Sequence, residues 1–367
     1  MNMLHTILYN YMKVLIDLSI LKNVHCGLGQ VALNYGYFFR DDYQPSPEEQ
    51  IYLLVPANYV GAFGTKVHYV RARKIYRILP WLIGHHFDVW HAIHQLSRYQ
   101  PFAKNYILTI HDFNFVYEKT NKKVQHYLQK IQHKVNQANH IACISQFAKS
   151  ETEKFVQVNN TPISVIYNGI ERIDLQTAQP PTAIIPNSHF YFSIGEIKEK
   201  KNFHVLLDIM KHIPDHHLYI AGNDQTVYAA HIRKRIQDEN ICNVHLLGKI
   251  SQEEKIWLYA HCEAFLFPSL FEGFGLPIVE AMLFGKPVVC SHETSLVEIG
   301  NQYVTYFPKD FDPNTSASLI QSAVKQHTAL HGKQEQDYAH SFNWEQHLMA
   351  YLKLYRQLGT ESRGKIQ

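Results

Sequence analysis

Several common signatures are missing from this chain of 367 residues. Its five cysteines are scattered and form no C-x-x-C pair, which favours buried thiols in a reducing compartment over a disulfide framework. No apolar run reaches the roughly 18 to 20 residues that span a bilayer. The N-terminus also lacks the basic start and the long apolar stretch of a signal peptide. We therefore expect a cytoplasmic protein.

Charge and metal-binding patterns are equally limited. Lys and Arg number 35 against 32 Asp and Glu, so the net charge of +3 implies no strong field for a polyanion, and nucleic acid is not an expected partner. The 24 histidines include no H-E-x-x-H, and Pro214 interrupts the four-residue spacing between His212 and His216. The sequence predicts solvated or core-edge histidines and no metal site.

Short apolar runs alternate with amphipathic stretches, which predicts an α/β protein with parallel sheets. The predicted strands are 13–19, 51–56, 87–93, 105–112, 140–145 and 163–169, and then 189–195, 217–222, 244–249, 264–269 and 287–291. Residues 173–188 lack periodicity and are the predicted linker between domains at 1–180 and 186–340. Residues 1–11 precede the first predicted strand. Two such halves predict a cleft at the carboxyl ends of the strands.

The segment EGFGLPIVEAM, residues 272–282, carries the most chemistry. Pro277 suits the first turn of a helix, and glycines just before that turn let the backbone approach a ligand. A helix N-terminus offers N–H groups to an anion. Glu272 precedes the turn and Glu280 follows it by about one helical turn. The segment can therefore bind a diphosphate together with hydroxyl groups; a simple loop–helix junction is the alternative.

This segment resembles the donor-site signature of the family-4 retaining glycosyltransferases of GT-B fold. The resemblance covers nearly the whole chain from Met12 and implies two Rossmann-like domains whose parallel sheets face a central cleft. It implies that Glu272 meets the transferred sugar, that Glu280 binds the nucleotide ribose, and that the terminal helix, within 341–367, packs back on the first domain. It further implies a nucleotide-diphosphate sugar, GDP- or UDP-hexose, as donor, with no cofactor and no metal.

The resemblance also implies donor contacts elsewhere in the second half. These would be made by Gly195, Gly222, Lys249, Ile250, Gly273, Phe274, Gly275 and Leu276. Lys201 aligns with a lysine that neutralises the diphosphate in the family, whereas Glu196 stands at the position of the family's arginine. Because a carboxylate cannot bind phosphate, compensation by Lys198, Lys200 or a backbone donor is left open.

In the first half, the resemblance implies roles for residues near predicted strand ends. Gly27 and Gly29 would lie in a glycine loop near the donor phosphate or the acceptor, before a helix that begins at about Gln30. His111 would position the transferred sugar and completes the predicted catalytic set with Glu272 and Lys201. The acceptor-side candidates are His91, His94 and Asp112, and an ordinary structural role is the alternative for each of the two histidines.

Residues 70–83 combine four basic residues with several large apolar residues, including Trp81. The pattern predicts a basic amphipathic helix that could contact an anionic membrane, with packing on the sheet as the alternative.

The function predicted from these features is transfer of a hexose, with mannose favoured, from a nucleotide sugar to a glycan or lipid-linked glycan acceptor of surface polysaccharide or lipopolysaccharide. Such an enzyme could associate peripherally with the inner face of the plasma membrane. The alternatives are another GT-B enzyme, such as an epimerase or a phosphorylase, and a GT-B binding subunit without activity, which the glutamate at position 196 motivates.

Overall fold

The computed structural model describes residues 11–24, 26–170 and 175–364, with side chains described as far as residue 360. Of residues 1–11, which precede the first predicted strand, all but residue 11 lie outside the described residues. The chain divides into two compact units. The first combines Met1–Gly169 with Asn343–Gln367, and the second is Ile170–Phe342.

The first unit is built on a parallel sheet. Its strands are β1 (Met12–Asp17), β2 (Glu49–Val55), β3 (His68–Arg71), β4 (Phe87–Ala92), β5 (Ala103–Ile110), β6 (His140–Cys143) and β7 (Ile163–Val165). Their order across the sheet is β3-β2-β1-β4-β5-β6-β7, and neighbouring strands pair in parallel. The central strands are buried on both faces, which explains their nearly continuous apolar sequences.

The helices of the first unit are α1 (Gly27–Asp41), α2 (Phe115–Glu118), α3 (Asn121–Val135), α4 (Gln146–Phe155) and, from the chain terminus, α12 (Trp344–Gly364). The terminal helix packs against α1 and the sheet through Leu348, Tyr351, Leu352 and Tyr355. Arg356 donates two hydrogen bonds of 2.9 Å to the buried carboxylate of Glu49 at the start of β2. The terminal segment is therefore part of the first unit's core.

One buried histidine, His347, belongs to this helix, and a second, His91, lies beneath it. His347 Nδ1 donates to the carbonyl of Tyr167 at 2.7 Å, so its Nε2, 3.0 Å from the hydroxyl of Tyr35, accepts. His91, within β4, bonds Tyr355 through Nδ1 at 2.6 Å and Thr109 through Nε2 at 2.8 Å. Burial lowers the pKa of His347 to about 4 and that of His91 well below its usual value. Both rings are therefore neutral near pH 7.

Acidification is expected to destabilise the first unit through these two histidines. Their pKa values are lower in the folded chain than the 6.5 of a free side chain, so only the unfolded chain binds protons between about pH 6.5 and 4. The free energy of unfolding should fall as the pH decreases through this range, by up to about 1.4 kcal/mol per pH unit for each histidine. Denaturant titrations at several pH values measure this slope. It should be shallower in His347→Gln and unchanged in His126→Ala, which removes an exposed ring; equal slopes in all three proteins would contradict the assignment.

The second unit has its own parallel sheet. Its strands are β8 (Phe190–Ile194), β9 (His217–Ala221), β10 (Val244–Gly248), β11 (Ala264–Phe267), β12 (Val288–Cys290) and β13 (Thr305–Tyr306), in the order β10-β9-β8-β11-β12-β13. The helices are α5 (Phe203–Met210), α6 (Val227–Asp238), α7 (Gln252–His261), α8 (Leu276–Leu283), α9 (Ser295–Gly300), α10 (Pro313–Gln326) and α11 (Ala329–Ala339). Both sheets therefore have the strand order of Rossmann-like domains, in which the first and fourth strands lie side by side.

The predicted linker at 173–188 differs from the structure. The described part of this stretch belongs to the second unit, where the amide of Gln179 bonds the carbonyl of Glu253 at 3.2 Å and the amide of Ile185 bonds the hydroxyl of Tyr219 at 3.0 Å. The break between units falls after Gly169 instead of near residue 180. Low periodicity identified an irregular segment, but these tertiary hydrogen bonds fix it on one unit.

The predicted amphipathic helix at 70–83 is wrong. Val70 ends up inside strand β3, and two 3-10 turns follow at Lys74–Arg77 and Pro80–Ile83. Pro80 lacks an N–H and disfavours helical geometry in the residue before it, so the two turns cannot merge into one helix. Within the described residues, no helix has both the length and the apolar character needed to cross a bilayer.

Candidate active site

A largely buried polar cluster of the second unit lies where β8 and β11 run side by side. These are the neighbouring strands at which the order of the sheet reverses, and ligands of such sheets bind outside the carboxyl ends of the strands at this point. Lys201 follows β8 in the 3-10 turn Glu199–Lys201, and Glu272 follows β11. Parallel pairing therefore places the two predicted catalytic residues at the same edge.

Lys201 and Glu272 form a largely buried ion pair. The ammonium bonds Oε1 of Glu272, and the two side chains are 11% and 14% exposed. The ammonium also lies 4.7 Å from the centre of the Phe267 ring, an arrangement that favours a cation. Such a pair holds a cation ready at low solvent exposure, where its attraction for a phosphate is weakly screened.

Three hydroxyl side chains that the sequence analysis missed hold Glu272 in place. Ser269 donates to Glu272 Oε1 at 2.6 Å, the amide of Glu272 donates to Thr294 Oγ1 at 3.2 Å, and Ser295 donates to the carbonyl of Glu272 at 2.9 Å. Their only sequence signal is a position shortly after a strand: Ser269 follows β11, Thr294 follows β12, and Ser295 begins α9. The carboxylate is thus oriented before any ligand binds.

The glycine turn has the geometry that the sequence predicts. Gly275 has a φ of +102° and is the N-cap of α8, which begins at Leu276 and has Pro277 in its first turn. A Cβ on Gly275 would lie 2.6 Å from Leu296 Cδ2, so no larger residue fits. Gly273 and Phe274 are buried in the same turn. The three-residue turn Gly273–Gly275 therefore connects Glu272 to the start of α8.

Glu280 lies inside α8 and is held by two side chains of α7. Its Oε1 accepts from Lys255 Nζ at 2.9 Å and its Oε2 accepts from the hydroxyl of Tyr259 at 2.9 Å. Burial raises the pKa of Tyr259 well above its usual value, so the hydroxyl stays protonated and donates. Each carboxylate oxygen retains a lone pair that can accept from a ligand hydroxyl.

The neighbouring strand ends bring glycine backbone close together. Gly195 follows β8 and Gly222 follows β9, with φ values of +155° and +140°. A Cβ on Gly222 would lie 1.9 Å from the carbonyl oxygen of Gly195, and one on Gly195 would lie 3.0 Å from Lys201 Cε. Lys249 and Ile250 follow β10 at the same edge. All eight donor contacts that the resemblance implies in the second half therefore share this edge or its glycine turn with Lys201.

Glu196, at the position where the resemblance implies an arginine, is paired with a cation of its own. Its carboxylate lies 2.7 Å from Lys198 Nζ, and both side chains are nearly half exposed. Lys198 therefore neutralises Glu196 but is held by it. Lys201 is the described lysine of this loop that is buried beside Glu272.

His111 and Asp112 lie at the carboxyl end of β5 in the first unit. His111 Nε2 donates to the carbonyl of Ile93 at 2.7 Å, and burial lowers the pKa of His111 to about 4. Gln95 accepts from the amide of His111 at 3.1 Å and donates to the carbonyl of Asp112 at 2.7 Å. A neutral ring fixed in this way can position a ligand but is poorly suited to exchanging protons near pH 7. Gln95 gave no signal in the sequence.

His94 and Asp17 lie where β1 and β4 are neighbours, the point of reversal in the first sheet. Burial lowers the pKa of His94 to about 3, and its Nδ1 accepts the amide of Leu96 at 3.2 Å. Asp17 is buried, accepts the amide of Ser19 at 3.0 Å and bonds the hydroxyl of Ser97. Asp17 was missed by the sequence analysis, although it ends a buried strand.

The structure does not support a direct acceptor contact by His91. Its side chain is completely buried, both ring nitrogens bond core hydroxyl groups, and Tyr351 stacks on it at 4.5 Å. The cause is α12, which returns from the chain terminus to cover this part of the sheet.

Gly27 and Gly29 also differ from prediction, because α1 begins at Gly27 and both glycines lie in its first turn instead of in a loop. A Cβ on Gly29 would lie 2.2 Å from the carbonyl oxygen of Asn23, the last residue of the 3-10 turn Ser19–Asn23. Close contact between α1 and this turn therefore requires a glycine here. Among the residues that the structure describes, nothing lies within 4 Å of a Cβ built on Gly27. Gly27 remains open to a ligand, whereas Gly29 serves the packing of the chain.

Two family models match the chain. The model for glycosyl transferases group 1 matches residues 176–339, and the model for Glycosyltransferase Family 4 matches residues 36–172. Together they cover most of both units. The chain belongs to the group 1 and family 4 glycosyltransferases. The family assignment and the two Rossmann-like domains predicted from the sequence are thereby confirmed.

Relatives of this glycosyltransferase include enzymes named for O-antigen synthesis. The O-antigen chain mannosyltransferase RfbU of Salmonella typhimurium is 24% identical over 260 residues, which are 67% of this chain and 72% of the relative. The O-antigen chain mannosyltransferase B of Escherichia coli is 46% identical over 80 residues, 22% of this chain and 21% of the relative.

Solved structures share the fold of this glycosyltransferase at low identity. HepE from Anabaena, in complex with UDP and glucose, has a TM-score of 0.71 and 17% identity, and the match covers 95% of this chain and all of HepE. The sucrose-phosphate synthase from Thermosynechococcus elongatus has a TM-score of 0.69 and 17% identity, again over 95% of this chain.

Proposed function

We propose that this glycosyltransferase moves a hexose, with retention of its anomeric configuration, from a nucleoside diphosphate sugar to a glycan or lipid-linked glycan acceptor. The observation that carries the proposal is the Lys201–Glu272 pair beside the N-terminus of α8, with Glu280 inside that helix. A cation, a helix N-terminus and two oriented carboxylates suit the three parts of a nucleotide sugar: Lys201 and the start of α8 suit the diphosphate, Glu272 the sugar and Glu280 the ribose.

Donor binding requires the buried pair to change partners. The ammonium of Lys201 is bonded to Glu272, and a diphosphate oxygen offers a stronger negative partner at the same place. Glu272, still held by Ser269, is then available to accept hydroxyl groups of the sugar. Glu280 accepts from the ribose while keeping its bonds to Lys255 and Tyr259.

The proposed reaction needs no base from the protein. The bond between the anomeric carbon and the diphosphate oxygen breaks, and the acceptor oxygen bonds the anomeric carbon from the same face. The acceptor's proton passes to the departing diphosphate oxygen. Lys201 and the first amides of α8 stabilise the charge that develops on the diphosphate, so neither a metal nor a cofactor is required. His111, neutral near pH 7, positions the sugar.

Mannose from GDP-mannose is the donor that we favour, because relatives matched over 260 and 80 residues are named mannosyltransferases. A UDP-hexose is the competing donor, since HepE, similar in fold, is described with UDP and glucose. The term O-antigen in the names of these relatives supports an acceptor that belongs to a growing surface polysaccharide or lipopolysaccharide.

The donor is tested by thermal unfolding with UDP, GDP, ADP and their sugars, because only bound ligands raise the midpoint. We expect the largest rise with GDP and GDP-mannose. The product with a matching acceptor should carry the same anomeric configuration as the donor, which NMR coupling constants read directly. An inverted product would overturn retention, and epimerised nucleotide sugar without acceptor would favour the epimerase alternative. Activity after metal chelation should be unchanged.

A lipid-linked acceptor requires the enzyme to reach a membrane, and we propose that residues 71–82 do so. Ile78 is 75% exposed, Trp81 54% and Leu82 50%, although they are large and apolar. Arg71, Arg73 and Lys74 are exposed in the same stretch. Apolar side chains flanked by cations match the interface of an anionic bilayer.

The double substitution Ile78→Glu with Trp81→Glu should weaken binding to vesicles that contain anionic lipid by at least about tenfold. An apolar side chain that moves from water into the bilayer contributes about 1.5–3 kcal/mol to binding, and the double variant loses two of them. Co-sedimentation measures this binding. Leu330→Glu, which changes an exposed leucine of the second unit, is the matched control and should bind as the wild type does. Equal binding by all three proteins would exclude this surface, and transfer to a water-soluble acceptor should be unaffected.

A further inference from the structure

Three side chains that commonly bind transition metals meet at the amino ends of neighbouring strands in the second unit. His189 immediately precedes β8, His216 precedes β9 and Glu263 precedes β11. These strands are adjacent in the order β9-β8-β11. The cluster therefore lies at the opposite ends of the strands from Lys201 and Glu272, and it is separate from the candidate active site.

The geometry of the cluster brings one ligand atom from each residue together. These three atoms lie within 4.8 Å of one another. His216 Nε2 is 3.1 Å from Glu263 Oε2, and His189 Nδ1 bonds the other carboxylate oxygen. In a tetrahedral zinc site, metal–ligand distances of about 2.0–2.2 Å place neighbouring ligand atoms a little over 3 Å apart. Small side-chain rotations would therefore suffice to admit an ion.

Backbone hydrogen bonds hold the three segments in fixed positions. The amide of His217 donates to the carbonyl of His189 at 2.9 Å, and the amide of Glu263 donates to the carbonyl of Phe190 at 2.9 Å. Tyr191 stacks on the ring of His216 at 5.0 Å with an interplanar angle of 7°. The cluster is thus preformed by the sheet and does not depend on a flexible loop.

Differences in exposure give the cluster an open side. His216 and Glu263 have side chains 23% and 28% exposed, whereas that of His189 is 71% exposed. Two imidazoles and one carboxylate with a solvent-facing fourth position suit Zn²⁺, which accepts nitrogen and oxygen ligands and completes its shell with water. A neutral imidazole that binds a metal through Nε2 carries its hydrogen on Nδ1. His216 Nδ1 is buried and has no hydrogen-bond partner among the described residues, so this N–H has no acceptor to orient the ring, which limits the affinity.

We propose that His189, His216 and Glu263 bind a divalent cation of the zinc class, which links the starts of three strands and stabilises the second unit. The ion takes no part in sugar transfer, because its ligands lie at the edge of the sheet opposite Lys201. The sequence pattern could not reveal the site, since the three ligands are separated by 26 or more residues and only the sheet makes them neighbours.

The test is zinc binding to the full chain without a histidine tag, because the 24 histidines already offer weak sites. Equilibrium dialysis should show one more bound ion per chain in the wild type than in His189→Ala, whose exposed side chain can be removed with little effect on folding. Zinc should raise the thermal unfolding midpoint of the wild type and not that of His189→Ala. Glu263→Gln should weaken the affinity at least about tenfold.

The matched control is His126→Ala, which removes an exposed histidine of α3 in the first unit and should bind zinc as the wild type does. Equal stoichiometry and affinity in wild type, His189→Ala and Glu263→Gln would overturn the proposal. Loss of sugar transfer after zinc removal, with the fold intact, would overturn the purely structural role of the ion.

Discussion

Lys201→Ala should lower the turnover number for sugar transfer by about 10²–10³-fold, the usual cost of removing one group that stabilises developing charge in an active site. The ammonium is the buried cation at the edge of the sheet where the diphosphate would bind, and it lies beside Glu272. Without it, the leaving diphosphate would face the carboxylate of Glu272 unshielded. Steady-state transfer from the nucleotide sugar that passes the ligand screen measures the effect.

Two further variants separate chemistry from folding. Lys201→Arg keeps the positive charge, so its turnover number should lie between those of Lys201→Ala and the wild type. If the substitutions instead disrupted the fold, Lys201→Arg and Lys201→Ala would both lose activity. Lys234→Ala removes an exposed lysine of α6 in the same unit and should leave turnover unchanged. A wild-type turnover number in Lys201→Ala would show that other groups neutralise the diphosphate. The Lys201–Glu272 pair would then serve only the stability of the fold.

Glu280→Ala should weaken binding of the free nucleotide by about 10- to 100-fold, because a hydrogen bond to a charged group contributes about 1.5–3 kcal/mol. The carboxylate is oriented by Lys255 and Tyr259, each at 2.9 Å, so its position is set before the ribose arrives. Calorimetric titration with GDP and UDP measures the change. The turnover number at saturating donor should fall less than the affinity does.

Lys255→Met tests the same assignment from the other side. It removes one of the two groups that orient Glu280, so nucleotide affinity should fall by less than in Glu280→Ala. Asp238→Asn, which alters an exposed carboxylate of α6, is the control and should bind nucleotide normally. Unchanged affinity in Glu280→Ala would exclude ribose recognition by this residue and leave Glu280 as a structural partner of α7.

Local patterns predicted the local structure around the candidate donor site well. The glycine turn, the start of α8 at Leu276 and the strands before Lys201 and Glu272 follow from short-range signals: glycine permits the φ of +102°, proline favours a first helical turn, and apolar runs form buried strands. Eleven predicted strands correspond to observed ones, and the short edge strands β3 and β13 were missed. Edge strands bury less apolar surface and so leave a weaker pattern.

The errors occurred where distant segments decide the outcome. His91 reads as a polar residue near a strand end, but α12 returns from more than 250 residues away and buries it between Tyr351 and Tyr355. Residues 70–83 have helical spacing, yet Val70 pairs into the sheet beside Leu54 and Pro80 prevents a continuous helix. In both cases, tertiary contacts outweighed a local preference.

The amino-acid sequence by itself determined the α/β class, the family and the place of the candidate donor site, because these depend on residue spacing within single strands, turns and helix starts. Only the tertiary structure decided which side chains share an environment. It placed Lys201 against Glu272, Ser269 and Thr294 around that carboxylate, and Lys255 with Tyr259 on Glu280. Parallel sheets align the ends of strands that are far apart in sequence, so both the active-site cluster and the histidine–glutamate cluster exist only once the sheet has formed.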